Sequence, residues 1–162
     1  MEGSKTVTTE VVLTTLLAQM KDHTYYMGEA MKSDPRLIEL GAKLQASDDD
    51  DTVLMDFVNN GISKVANLLT RVLGITTYKV DTNSTKKVTF TTKAVANFPQ
   101  DQSETLKGNI SSYLSCLSLF EWLQLIKPDE APRFKEKSEQ LEVEIMNLSA
   151  QRSKPTRAGI GG

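Results

Sequence analysis

The sequence predicts a mainly α protein, a helical bundle of about four to five helices with one inserted β-hairpin. Two observations carry that prediction. Apolar residues recur at the spacing of a helix face in several separate stretches. Between residues 76 and 93 the alphabet changes to Thr, Val, Tyr, Lys and Phe around the turn-prone Asp81-Thr82-Asn83-Ser84. A chain of 162 residues also suits a single core. One domain is therefore expected over residues 1–150, with residues 151–162 as a flexible C-terminal tail.

Residues 4–9 are polar and β-branched, and Thr8 or Thr9 is the expected cap of a first helix, whose face is Val12, Leu16 and Met20 with Leu13 and Leu17 beside them. Tyr25, Tyr26, Met27, Ala30 and Met31 either continue this helix or start another after a break near Asp22 and His23. Ser33-Asp34-Pro35 then sets a cap before a proline, the pattern of a helix start, and Leu37, Ile38, Leu40, Gly41 and Leu44 follow as a short helix. Four aspartates, Asp48 to Asp51, precede a long amphipathic series from Val53 to Val72 that Gly74 closes. Carboxylates at a helix start meet unpaired N–H groups and the positive end of the dipole. A calcium loop would need alternating ligands, a central Gly and a distant Glu, and that pattern is missing.

In the hairpin, Val88 and Phe90 alternate with Thr89 and Thr91, so one face rests on the helices and the other is wet. A lone hairpin is marginal in water, so the helices or a neighbouring subunit must complete it. After Phe98-Pro99, Asp101 or Ser103 is the expected cap of a helix whose C-terminal half is apolar almost all round, which marks it as central. Lys127-Pro128-Asp129 ends it, and Pro132 opens a last helix that packs antiparallel along Phe134, Leu141, Ile145 and Leu148. The tail QRSKPTRAGIGG has almost no apolar anchor and is expected to be disordered in the free protein.

The composition argues against several chemistries. Nineteen basic residues face 21 acidic ones, so no whole-molecule field would hold the chain on DNA or an anionic membrane. The single histidine, His23, lacks the partners of a triad or a His-based metal site and reads as a surface or interhelix residue. Cys116 lies in an apolar run, where burial is its ordinary use, and Trp122 reads as core. No Gly-rich loop follows a strand, and Glu139, Glu142 and Glu144 belong to a wet charged face. The expectation is a protein without enzymatic activity or cofactors. The opening MEGSKTVTTE has no apolar stretch of the signal-peptide kind, and the longest apolar-rich run, 114–126, falls short of a bilayer span. Synthesis in a reducing cytoplasm, with no membrane partner, is expected. Lys86, Lys87 and Lys93 on the hairpin, and Arg152, Lys154 and Arg157 on the tail, are the basic clusters available to a partner.

A hairpin strand ending in TFTTKAVANF, a long helix reaching LFEWLQLIKPDEA, a charged closing helix and a tail reading RSKPTRAG follow one another. This order resembles small head-to-tail connector or adaptor proteins of tailed bacteriophages and prophages, particularly virion proteins of Bacteroides-type phages. The resemblance covers residues 53–157. It implies a structural virion protein that forms a ring of its own copies between portal and tail, lines a channel through which DNA passes without sequence-specific binding, and contacts portal or tail proteins. Lys86, Lys87, Phe90 and Lys93 of the hairpin, with Arg152, Lys154, Pro155 and Arg157 of the tail, are then the candidate partner-binding residues. The other reading of the same residues is a cytoplasmic helical protein–protein interaction module without catalytic activity.

Overall fold

The structure is a computed structural model that describes residues 4–82 and 86–151. In chain order it contains strand β1 (Ser4–Val12), helix α1 (Leu13–Met31), helix α2 (Ile38–Leu44), helix α3 (Asp51–Val72), strands β2 (Thr76–Asp81) and β3 (Lys87–Val95), and helices α4 (Ser103–Ile126) and α5 (Ala131–Ala150). The protein is thus mainly α, with five helices of this kind among the described residues and a small antiparallel sheet.

The sheet holds one strand more than the hairpin. β1 pairs antiparallel with β3 from Ser4↔Val95 to Val12↔Lys87, and β2 pairs with the other side of β3, giving the order β1-β3-β2. The chain therefore supplies the third strand that makes the hairpin stable. Thr8 and Thr9 lie inside this strand and cap nothing. The strand runs straight into α1, and the Leu13 N–H, an orphan donor of the first helical turn, donates to the Lys86 carbonyl at 2.7 Å. Sheet geometry replaces the side-chain cap. Inward from β1 and β3 point Val7, Val11, Val88, Phe90 and Ala94, all buried, while Thr9 and Thr92 share that face. The Thr92 hydroxyl is satisfied by Thr76 Oγ1 at 2.8 Å.

α1 continues unbroken through Asp22 and His23. It crosses α2 at Gly28 and Gly41, where a Cβ on Gly41 would sit 2.7 Å from the Gly28 carbonyl oxygen. Only two glycines permit this approach of one backbone to the other. At the start of α2, Asp34 accepts from the Arg36 N–H at 3.0 Å and Pro35 opens the turn. Ser47 and Asp50 form a reciprocal capping box ahead of α3. The chain leaves α3 through Gly74, whose φ of 157° and contact with the Lys93 carbonyl leave no room for a side chain. Neither Asp101 nor Ser103 caps α4 through its side chain; a 3₁₀ turn at Gln100–Gln102 leads into it.

α4 is the central helix and packs on α1, α2, α3, α5 and β1. Leu106, Ile110, Leu114 and Leu123 are fully buried, and Trp122 donates from Nε1 to the Leu44 carbonyl at 2.8 Å. This ring belongs to the core, as its place in an apolar helix predicts. α5 packs along α4 through Phe134, Leu141 and Ile145, while Leu148 is only half-buried and Ser138 and Ser149 fill the seam beside it.

Candidate functional site

The sheet places the hairpin residues on two different faces. Lys87 and Lys93 point outward with Thr89 and Thr91, beside Thr6, Thr8 and Glu10 of β1. Lys87 Nζ lies 3.4 Å from Glu10 Oε1, and exposed Ile75 stands across from Lys93. Lys86 is exposed just ahead of β3. Phe90 departs from the expectation of a partner-binding residue: it points inward with 0% exposure, and the domain's own core uses its ring. Arg152, Lys154, Pro155 and Arg157 lie outside the described residues.

Sequence reasoning missed the most open part of this surface, the free edge of β1. The Leu13-to-Lys86 bond fixes the ladder: Lys5, Val7, Thr9 and Val11 exchange bonds with β3, and Thr6, Thr8 and Glu10 turn N–H and C=O outward. Among the described residues no group bonds to these outward main-chain atoms. The opposite edge is partly closed, because the Thr76 N–H donates to Thr70 Oγ1 of α3 at 3.1 Å. The available signal was the alternation of Val7 and Val11 with polar Thr6, Thr8 and Glu10, hidden where Val12 and Leu13 run on into the helix pattern.

Two grooves flank α4. One of about 530 Å³ lies between α3, α4 and α5 and has Leu68, Leu117 and Phe120 as its apolar floor. Its cations Lys64, Arg71 and Lys135 are matched in number by Glu121, Glu139 and Glu142. The Tyr113 hydroxyl donates to Glu142 Oε2 at 3.3 Å, and Arg71 lies 4.0 Å from the same carboxylate. Burial, then the Glu142 charge, pushes the Tyr113 pKa up to about 12. The other, of about 280 Å³, lies between α1, α4 and α5 and is bordered by His23, Cys116 and Lys137. The His23 ring meets Phe134 edge-on at 5.3 Å. Burial lowers its pKa, and the charges of Arg133 and Lys137 lower it further. Cys116 is buried, and burial raises its thiol pKa against a smaller opposing effect of Lys137.

The aspartate run serves the fold. Asp50 closes the capping box, while Asp48 and Asp51 stand 2.7 and 2.9 Å from Lys21 Nζ of α1. Among the described residues no group of three or more His, Cys, Asp or Glu is placed to hold a metal, and no helix is long and apolar enough to cross a membrane. Comparison with protein-family models, curated proteins and solved structures gives no match to this chain. The geometry therefore defines no more than a class: a helical domain that presents a small sheet with one open edge and one wet face.

Proposed function

We propose that this chain is a structural assembly protein whose sheet is extended by a neighbouring copy, and that it serves as a ring-forming connector or adaptor between the portal and tail of a tailed-phage virion. The open edge of β1 carries the assembly part of this reading. Exposed edges are templates for pairing, and proteins that avoid such pairing blunt them with proline, bulges or charge. Thr6 and Thr8 offer none of these, and the charges of Lys5 and Glu10 are engaged by the Phe98 carbonyl and by Lys87. β1 and β2 both run antiparallel to β3 and so are parallel to each other. A second copy presenting its β2 edge beyond Thr76, at Tyr78 and Val80, to β1 would continue the sheet with unchanged polarity. Such a head-to-tail contact repeats around an axis and closes into a ring where the rotation allows.

The order of features from the hairpin to the RSKPTRAG tail supports the virion part, and the formal charge of −2 suits a channel that lets DNA slide. No catalytic step belongs to this reading. Its test is the mass distribution of the protein over a wide concentration range, with imaging of the largest species, for the wild type and for Thr8→Pro. The Thr8 N–H points away from β3, so proline there removes no internal ladder bond. The wild type is expected to form closed rings of one size, and Thr8→Pro to be monomeric with nearly unchanged melting temperature. Rings that survive Thr8→Pro would overturn the edge contact. A wild-type monomer at every concentration, also with portal protein present, would leave the interaction-module reading in its place.

A further inference from the structure

The groove beside His23 differs from its neighbour in charge. The α3/α4/α5 groove includes Glu121, Glu139 and Glu142 among its walls. No carboxylate borders the His23 groove: its polar walls are Gln19, His23, Ser111, Ser112, Ser115 and Lys137. Each of these can donate a hydrogen bond. Among the described residues, Gln19 and the three serines make no side-chain hydrogen bond, and Lys137 forms no ion pair. A smaller hollow of about 210 Å³ adjoins it through Gln19 and Ser111 and adds Thr15 and Lys107, again without a carboxylate. Unspent donors and uncompensated cations thus gather along one face of the α1/α4 junction. Cys116, Leu119 and Phe134 supply the apolar part of the walls.

We propose that this pocket binds a tetrahedral oxyanion of the phosphate type. Lys137 supplies the charge, and Ser111, Ser112 and Ser115 supply hydroxyl donors from successive turns of α4. Three helices contribute donors to the walls, which suits an anion with four oxygens. The volume of about 280 Å³ holds such an ion with its remaining waters, each of which occupies roughly 30 Å³. This inference does not depend on the assembly reading, because the pocket lies within one copy of the chain.

His23 is the sole histidine, so its ring resonances report on the pocket without overlap. The full chain is titrated with inorganic phosphate, and separately with a short oligothymidylate, at constant ionic strength held with chloride. A saturable shift of the His23 signals is expected, together with a rise in its titration midpoint when the anion is bound. Lys137→Met should weaken binding about tenfold, the usual size for loss of a charge-assisted hydrogen bond. Ser115→Ala should weaken it less, and Lys64→Met in the other groove should leave it unchanged. Both Lys137 and Lys64 are exposed, so their replacement does not threaten the fold. A response to phosphate alone identifies a free anion as the ligand, and tighter binding of the oligonucleotide identifies a phosphodiester. Absence of a saturable shift with either probe, or binding unchanged in Lys137→Met, overturns the site.

Discussion

The α4/α5 pair and the three-stranded sheet solve the same problem in opposite ways. The two helices are neighbours in sequence, their main-chain bonds lie within each helix, and Phe134, Leu141 and Ile145 close the seam between them. The sheet depends on distant partners, for Glu10 and Lys87 meet across 77 positions of chain. Its inner face is as dry as the helical core, with Phe90 and Val88 at 0% exposure, yet Thr6, Thr8 and Glu10 keep main-chain groups free at its edge. The helices finish their own hydrogen bonding and anchor the domain. The sheet is anchored on one face and left open on an edge, so the element suited to assembly is also one the core cannot lose.

The largest effect should come from separating those two roles. Phe90→Ala is expected to cost about 3–5 kcal/mol in denaturant unfolding, and Ile145→Ala in the helical seam about 2–5 kcal/mol. Their local consequences should differ. With Phe90 truncated, the amides of β1 and β3 should lose protection from hydrogen exchange before those of α4 and α5. Equal loss everywhere would mean that sheet and helices open as one unit, and the comparison would fail.

A smaller effect sharpens the helical side, and it changes sign between two glycines. An exposed helical Gly→Ala substitution ordinarily stabilises by about 0.5–1 kcal/mol. At Gly108 of α4 an added methyl would meet nothing within 4 Å, so Gly108→Ala should raise the melting temperature. Gly41→Ala forces a methyl against the Gly28 carbonyl and should instead cost about 1–3 kcal/mol. Two thermal melts decide it, and a stabilising Gly41→Ala would show that the α1/α2 crossing can yield.

What the sequence reveals follows the same division. Helical elements announce themselves locally: Pro35 and Pro132 at helix starts, the acidic run before α3 and the apolar girth of α4 are all visible within a few turns. β1 is not visible in this way. Its inward positions include Lys5 and Thr9, which blur the alternation, and its partner strand comes late in the chain. The hairpin alternation correctly puts Phe90 inward, which is why its assignment to a partner fails: the signal that builds the strand also buries the ring. The His23 pocket has no motif, since residues of α1, α4 and α5 form it only after the helices pack. The Gly28/Gly41 crossing is equally silent, because each glycine has meaning only opposite the other.

The smallest expected effect concerns the ion pairs that tie α1 to the start of α3. Hydrogen bonding to Asp48, and next to Asp51, raises the Lys21 pKa above its ordinary 10.5, and the bond from Lys21 holds Asp48 below 3.8. The signs follow from linkage. The stabilisation from Lys21 is fully present below 10.5 and is lost as pH rises through the higher folded value. That from Asp48 is present above 3.8 and is lost as pH falls through the lower folded value. Lys21→Met should therefore lower the melting temperature slightly near neutrality and converge on the wild type at both pH extremes, the effect staying small because Asp48 is open to solvent and screened. The pair belongs to the helical half of the molecule and lies away from β1 in the contacts it makes. Oligomer mass should accordingly be unchanged in Lys21→Met at neutral pH, and an altered mass would show that the helices, and not the sheet edge alone, hold the copies together.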